Sequence, residues 1–273
     1  MNVFISCDIE GVSCVARPEH SRVDGRDYIQ SRRLMTGEAN AAIRAAFDAG
    51  AENVVVADGH NVGLNLLPEE LDQRAELVMG TPRPFSMMDG VEGCDVAFLI
   101  GYHSEPLIRG GVIQHNFTGR VRRAAFNGKT LGEIGMNAAL AGLFGVPVAL
   151  VSGDEAACAQ AAALMPWVVT AAVKKGIGAY AARCLSPQRS RELIYENARS
   201  ALGNRDSMGV FSLEGPVTMT LELTTASSAD RLERVPCLHR ISADTLESDP
   251  LPYRELYDVF LTATDLLDLV PFI

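Results

Sequence analysis

The sequence predicts an α/β protein in which a mostly parallel central sheet is flanked by helices and followed by a smaller C-terminal α+β portion. Short apolar runs rich in β-branched residues alternate with helix-like segments over the first 153 residues. These runs are apolar at consecutive positions, as expected of strands covered on both faces by crossover helices. After Asp154 the pattern changes, so we divide the chain into an α/β metal-binding core, residues 1–153, and a C-terminal α+β portion, residues 154–273, which either stands apart or continues the same sheet.

Four strands and two helices are predicted in the first part of the chain. The predicted strands are Val3–Cys7, Asn53–Ala57, Val96–Ile100 and Val146–Ser152. Apolar residues at helical spacing predict one helix over Ser31–Ala49, where Gly50 is typical of a helix C-terminus. A second helix is predicted over Leu131–Phe144. Apolar runs that are separated by helices in this way indicate βαβ units around a mostly parallel sheet.

Six further elements are predicted in the second part. They are a helix at Glu155–Leu164, a strand at Val168–Val173, a helix at Ser186–Leu202, strands at Val217–Thr225 and Val235–Ile241, and a final helix at Tyr253–Leu267. Ser186 fits an N-cap and Pro187 a first helical turn. Alternation within Val217–Thr225 predicts a strand with one solvated face. The periodicity does not indicate how these strands pair.

Composition and charge exclude several classes of protein. The 273 residues are 48% hydrophobic and 21% charged, with a net charge of −10, so a globular protein is expected and a nucleic-acid partner is not. The N-terminal segment has no basic stretch before a long apolar run, and its apolar run stops at Asp8, far short of the roughly 20 residues of a membrane span. We therefore expect a cytoplasmic protein with no membrane partner.

Acidic and histidine side chains follow three of the predicted strands. Asp8 and Glu10 follow the first, His60 the second and His103 the third. Ligands of open α/β sheets bind outside the carboxyl ends of the strands, so these side chains are expected to share one crevice. Asp8 and Glu10, two apart, would project to the same side of an extended segment. Imidazole with carboxylate suits zinc and similar ions, although each histidine could instead be an ordinary loop residue with a hydrogen-bond partner.

Glu133 and His115 each leave two interpretations open. Glu133 stands between glycines at the start of the second predicted helix, where it either complements the helix dipole or serves as a ligand. His115 is suited to proton transfer near neutral pH, but could also be a further ligand or a structural residue. Asp58 could orient His60 or cap the turn that follows it.

The number of candidate ligands bears on the number of ions. A catalytic zinc usually has three protein ligands and one open position. If Asp8, Glu10, His60, His103 and Glu133 are all ligands, they fit two ions roughly 3.5–4 Å apart with one bridging carboxylate. Asp8, which follows its strand directly, is the natural bridge.

Five segments together resemble the bacterial D-aminopeptidase family, whose members are also called dipeptide transport proteins. The segments are Ser6–Gly11, Asp58–His60, Pro84–Met87, Gly101–His103 and Gly132–Ala138. The resemblance runs from Met1 to about Pro187 with nearly gapless spacing and thins over the last third. It is the combination of motifs in this order that is specific.

The resemblance implies a cytoplasmic di-zinc peptidase that releases D-amino acids, notably D-alanine, from short peptides. It implies that Asp8 bridges the two zinc ions, that Glu10 and His103 complete one, and that His60 and Glu133 complete the other. It also implies that His115 is the catalytic nucleophile, and that the subunits form ring-shaped homo-decamers around an internal chamber.

The chain departs from the family beside His115, at Gln114, Asn116 and Phe117, so its substrate preference need not follow the family. Two alternatives to an aminopeptidase stay open. One is another metal-dependent amidase or a phosphoesterase that uses the same site. The other is a cytoplasmic peptide-binding protein linked to dipeptide transport, for which a complete set of metal ligands would be superfluous.

Overall fold

The computed structural model describes residues 1–269, which contain two sheets. The strands are β1 (Asn2–Cys7), β2 (Asn53–Asp58), β3 (Glu76–Val78), β4 (Val96–Tyr102), β5 (Val121–Phe126), β6 (Lys129–Thr130), β7 (Val148–Asp154), β8 (Val169–Gly178), β9 (Ala181–Cys184), β10 (Met219–Leu223), β11 (Leu238–Arg240) and β12 (Thr245–Ser248). The helices are α1 (Pro18–Ser21), α2 (Tyr28–Asp48), α3 (Glu133–Leu143), α4 (Glu155–Leu164), α5 (Pro187–Gly203), α6 (Ala226–Leu232) and α7 (Tyr253–Asp268). None of the helices within residues 1–269 is long and apolar enough to cross a membrane.

The larger sheet has the order β3-β2-β1-β4-β7-β8-β9. Its strands are parallel to their neighbours except at β9, which runs antiparallel to β8. β1 lies between β2 and β4, so the three strands that precede the candidate ligands are adjacent. The predicted fold class, a mostly parallel sheet flanked by helices, is confirmed.

Each face of the larger sheet is covered by its own hydrophobic core. Val3 and Ile5 of β1 pack in one core with α2 and α5. Phe4, which points to the opposite face, belongs to a second core that includes residues of α3, α4, α7 and the smaller sheet. Burial on both faces explains why β1 is apolar at consecutive positions, since alternate side chains enter different cores.

The smaller sheet is antiparallel and has the order β11-β12-β10-β5-β6. It joins strands from both sides of residue 153, and the division into portions 1–153 and 154–273 stays a prediction. The sequence pattern did not reveal β5, because Arg122 and Arg123 interrupt its apolar run. Both arginines pair with Glu222 on β10, at 3.8 and 2.8 Å, while Val121 and Ala124–Phe126 of the same strand are buried.

The predicted elements are present, with boundaries that differ by a few residues. The second predicted helix begins at Glu133 rather than Leu131, because the Leu131 amide still donates to Ala124 of β5. The predicted strand at Val235–Ile241 shortens to β11. Ser186 caps α5 through its hydroxyl, which accepts from the Arg189 amide, as its sequence position predicts.

The chain crosses itself closely beside the carboxyl ends of β1 and β4. The Gly11 amide donates to the Gly101 carbonyl over 2.7 Å. Gly101 has a φ of +75°, and a Cβ atom there would lie 2.2 Å from the Asp8 carbonyl oxygen. A Cβ atom on Gly11 would lie 1.9 Å from the Tyr102 carbonyl oxygen. Glycine at these two positions therefore lets the segment after β1 lie directly against the end of β4.

We predict that Gly101→Ala destabilises the protein more than Gly50→Ala. Gly50 also has a positive φ, +88°, but open space around its missing Cβ. Gly50→Ala should therefore lower the free energy of unfolding by about 1 kcal/mol through backbone strain. Gly101→Ala adds a clash with backbone and should cost about 3 kcal/mol or more. Urea unfolding measures both variants, and equal losses would contradict the close crossing.

Candidate metal centre

A cleft of about 860 Å³ opens at the carboxyl ends of β1, β2 and β4. Five of the six residues predicted to form the site line it: Asp8, Glu10, His60, His115 and Glu133. The sixth, His103, is buried beneath His115, and their rings stack with centroids 4.2 Å apart and planes inclined by 14°. The structure thus brings all six predicted side chains together at the predicted edge of the sheet.

Asp8 and Glu10 converge on His60 by a route that differs from the one expected. β1 ends at Cys7, and the chain then turns, with the Val12 amide donating to the Ile9 carbonyl. The turn, rather than the alternation of a strand, brings the two carboxylates together. His60 Nδ1 lies 3.3 Å from Asp8 Oδ1 and 3.0 Å from Glu10 Oε2.

Glu133 approaches the same cluster from α3. It is the first residue of this helix, yet its side chain is buried and its Oε1 accepts from the Phe117 amide over 2.7 Å. His103 Nε2 lies 3.4 Å from Glu133 Oε1 and 3.6 Å from Asp8 Oδ2. A Cβ atom on Gly132 would lie 2.8 Å from the Glu105 Cβ, so glycine at this position allows Glu105 to lie close to the start of α3.

His115 lies on a loop whose backbone is held in an uncommon conformation. Ile113 and Phe117, two residues to either side, have φ values of +52° and +59°. Such conformations cost roughly 1 kcal/mol or more each and persist where the surrounding structure fixes them. Here they turn the His115 ring onto His103 and the Phe117 amide towards Glu133. His115 Nε2 lies 3.9 Å from Glu133 Oε1.

Each of the three histidines is anchored through one ring nitrogen to a main-chain carbonyl. The pairs are His60 Nε2 with Ser21 at 2.8 Å, His103 Nδ1 with Ser104 at 2.9 Å, and His115 Nδ1 with Ile113 at 2.9 Å. Because a carbonyl oxygen can only accept, each of these nitrogens carries the hydrogen. The opposite nitrogens therefore face the carboxylates with a lone pair that can take a proton or a cation. This arrangement is typical of metal-binding histidines.

Three buried polar atoms of the cluster make no hydrogen bond of ordinary geometry within residues 1–269: Asp8 Oδ2, Glu10 Oε2 and His103 Nε2, although Glu10 Oε2 lies 3.0 Å from His60 Nδ1. Buried polar groups are almost always partnered, so each such atom requires an explanation. Asp8, Glu10 and His103 offer ligand atoms that lie within 4.8 Å of one another, and so do His103, His115 and Glu133. Two overlapping sets of oxygen and imidazole donors fit divalent transition ions.

The charges of the cluster shift the pKa values of its members. Burial, and then the charge of Glu10, raise the pKa of Asp8 to about 7. Burial opposes a charge on His103, but Glu133 outweighs it and raises the pKa of His103 to about 10. Burial, and then nearby His103, lower the pKa of His115. The carboxylates therefore favour the protonated forms of His60 and His103, whereas burial and His103 favour the neutral form of His115.

A chain of buried hydrogen bonds supports the elements that carry the cluster. Ser6 of β1 bonds Tyr102 of β4 at 2.7 Å, and Asn137 of α3 donates to the same hydroxyl at 3.0 Å. Tyr257 of α7 donates to Asn137 at 3.2 Å. These hydrogen bonds link the strands that precede Asp8 and His103 to the helix that begins at Glu133. Sequence reasoning missed Tyr257, because nothing in its local pattern distinguishes it from an apolar helix residue.

Asp58 caps the turn after β2. Its carboxylate accepts from the amides of Asn65 and Leu66, at 2.5 and 2.6 Å, and from the Asn65 side chain at 2.7 Å. The same Asn65 side chain also donates to the His60 carbonyl. Of the two roles considered for Asp58, turn capping is the one its contacts support, and it positions His60 through the backbone.

Comparison with known proteins gives three concordant matches. The family model Peptidase_M55, described as D-aminopeptidase, matches residues 1–262. A D-aminopeptidase of Bacillus subtilis (strain 168) is 34% identical over 270 residues, 97% of each chain. A solved structure described as the Zn-dependent D-aminopeptidase DppA from Bacillus subtilis, a self-compartmentalizing protease, superposes with a TM-score of 0.97 at 32% identity and covers 100% of both chains.

We predict that binding of a divalent ion to this cluster releases protons. In the metal-free protein the pKa of His103 is about 10 and that of Asp8 about 7. The pKa of His60 is raised as well, so ions held by both histidines at pH 7–9 must displace the protons of His60 and His103, and below pH 7 that of Asp8 too. The affinity for zinc should therefore fall, for each displaced proton, about tenfold with every unit by which the pH is lowered. Calorimetry of zinc binding in buffers of different ionisation enthalpy counts these protons, and a count of zero at pH 7.5 would contradict this electrostatic description.

Proposed function

The chain belongs to the D-aminopeptidase family of peptide-bond hydrolases, and we propose that it uses zinc to release N-terminal D-amino acids, such as D-alanine, from short peptides. The observation that carries this proposal is the set of anchored imidazoles and unpartnered carboxylate oxygens that meet in one cleft. The similar protein from Bacillus subtilis is described as Zn-dependent, which supports zinc as the ion.

We assign two zinc ions to each subunit, with Asp8, Glu10, His60, His103 and Glu133 as ligands. The two oxygens of Asp8 support a bridging role, because Oδ1 faces His60 and Oδ2 faces His103. The proximity of Asp8, Glu10 and His103 supports one ligand set. The resemblance to the D-aminopeptidase family assigns Glu133 and His60 to the second ion. When bound, zinc polarises a carbonyl oxygen and lowers the pKa of water.

His115 is proposed as the residue that accepts a proton or attacks the substrate. Its Nδ1 donates to the Ile113 carbonyl, so Nε2 presents a lone pair. The lowered pKa keeps this lone pair available at neutral pH, and a quarter of the side chain is exposed, on the cleft side. Of the six side chains in the cluster, it has the greatest access to a substrate in the cleft.

The cleft suits a small peptide. Its volume of about 860 Å³ falls in the range of small-molecule sites, roughly 300–1,000 Å³. Thr118, Thr264, Asp265 and Asp268, which carry hydroxyl and carboxylate groups, also line the cleft. These polar groups can pair with the backbone and terminal charges of a dipeptide or tripeptide.

An oligomer is part of this proposal. The similar Bacillus subtilis protein is described as a self-compartmentalizing protease, and such a protein encloses its sites within an assembly. We propose a homo-oligomer for this chain. The ring-shaped decamer and the cytoplasmic location that the resemblance implies stay predictions.

A substrate panel tests the proposed activity. Purified protein with defined zinc is offered D-Ala-D-Ala, L-Ala-L-Ala and p-nitrophenyl phosphate. We expect cleavage of D-Ala-D-Ala, slower or no cleavage of the L-dipeptide, and no release of nitrophenol. Nitrophenol release without dipeptide cleavage would instead identify a phosphoesterase, and binding of dipeptide without turnover would identify a peptide-binding protein.

We predict that His115→Ala retains its metal and loses turnover. Removing the ring takes away the lone pair but leaves the five proposed ligands, so kcat should fall by about 10²–10⁴-fold. His239→Ala is the matched control, because it removes an exposed imidazole that pairs with Asp249 on the surface. Metal content and dipeptide hydrolysis are measured on both variants. Loss of one ion from His115→Ala would make His115 a ligand and contradict its assignment.

A further inference from the structure

Lys174 of β8 is a buried lysine whose ammonium group bonds main-chain oxygens. Its Nζ donates to the carbonyls of Glu10, Val12 and Val15, the last two at 3.1 and 2.5 Å. An ammonium group has three hydrogens and no acceptor, so these three carbonyls can use its full donor capacity. All three belong to the turn that follows β1 and carries Glu10.

The surroundings of Lys174 balance its charge from a distance. The carboxylates of Asp154, Glu38 and Glu10 favour its charged form, and that of Asp154 does so most strongly. Asp154 itself accepts from the amides of Ala157 and Val112. Burial lowers the pKa of Lys174. The three carbonyls that it bonds therefore orient the Lys174 ammonium group, and the nearby carboxylates stabilise its positive charge without bonding it.

The turn that Lys174 gathers has no regular secondary structure of its own. Between Asp8 and Val15 its ties to other elements include the Gly11 amide, which donates to the Gly101 carbonyl over 2.7 Å, and Ser13, whose amide donates to Glu38 over 3.0 Å and whose hydroxyl donates to Leu185 over 2.7 Å. The Lys174 contacts include the carbonyl of Glu10 itself, within the residue whose carboxylate lies 3.0 Å from His60.

We infer that Lys174 is a positioning residue that holds the Glu10 carboxylate in place for the metal ion. This inference rests on the proposed function, since it presumes that Glu10 is a ligand. Residues that orient metal ligands typically change metal affinity by about 10–100-fold when they are removed. Lys174 acts through the main chain of its ligand, and it does not touch the ion or the substrate.

Lys174→Met tests the inference, because methionine keeps an apolar stem of similar length and removes the ammonium group. Zinc affinity is measured by competition with a chromophoric chelator, and amide hydrogen exchange is followed in peptides covering residues 9–15. We expect zinc binding to weaken by about 10–100-fold, faster exchange in these peptides, and activity that recovers as zinc is raised. Ser13→Ala is the matched control, because it loosens the same turn without touching Glu10 and should change zinc affinity by less than about threefold.

The outcomes separate the inference from the proposed function. If the wild-type protein binds zinc and Lys174→Met binds it within about threefold of wild type, the inference is overturned and the proposed function stands. If the wild-type protein neither binds zinc nor cleaves peptides, both are overturned. Should circular dichroism show that Lys174→Met does not fold, Lys174→Gln replaces it, because the shorter glutamine side chain stays polar but has only two amide hydrogens and cannot bond all three carbonyls. A folded Lys174→Gln with wild-type affinity would equally overturn the inference.

Discussion

The burial of three carboxylates, Asp8, Glu10 and Glu133, around the same imidazole rings is the constraint on which the rest of the site depends. Charge removed from water is costly unless it is paired or binds a cation. His60 and His103 lie against these carboxylates, which raise the pKa values of both histidines. Even so, oxygens of Asp8 and Glu10 are left unpartnered among the described residues, which is the arrangement expected where divalent ions complete the balance.

The fold supplies this cluster through main-chain atoms as much as through side chains. Adjacent parallel strands bring Asp8, His60 and His103 to one edge. Carbonyl groups then set the orientation of each imidazole, and the amide of Phe117 that of Glu133. The loop around His115 and the turn bonded by Lys174 have the same effect, because each fixes the backbone next to a side chain of the cluster.

Sequence reasoning succeeded where a residue type and a strand end coincide. It placed Asp8, Glu10, His60 and His103 in one crevice, because consecutive apolar runs mark buried parallel strands. Glu133 was ambiguous, since a helix N-terminus attracts acids for other reasons. The smaller sheet was largely missed, because β5 pairs with β10 about a hundred residues away and carries arginines on its paired face. Lys174 gave no signal, since the carbonyls it bonds come from a turn some 160 residues distant in sequence.

The central claim is that the cluster exists to hold two catalytic zinc ions, and metal analysis tests it most directly. Wild-type protein, dialysed free of loosely bound metal, is assayed for zinc by mass spectrometry and for D-Ala-D-Ala cleavage before and after chelation. The account predicts about two ions per chain, consistent with a five-ligand set, and loss of cleavage on chelation that zinc restores. Fewer than about one ion per chain, with cleavage that survives chelation, would contradict it.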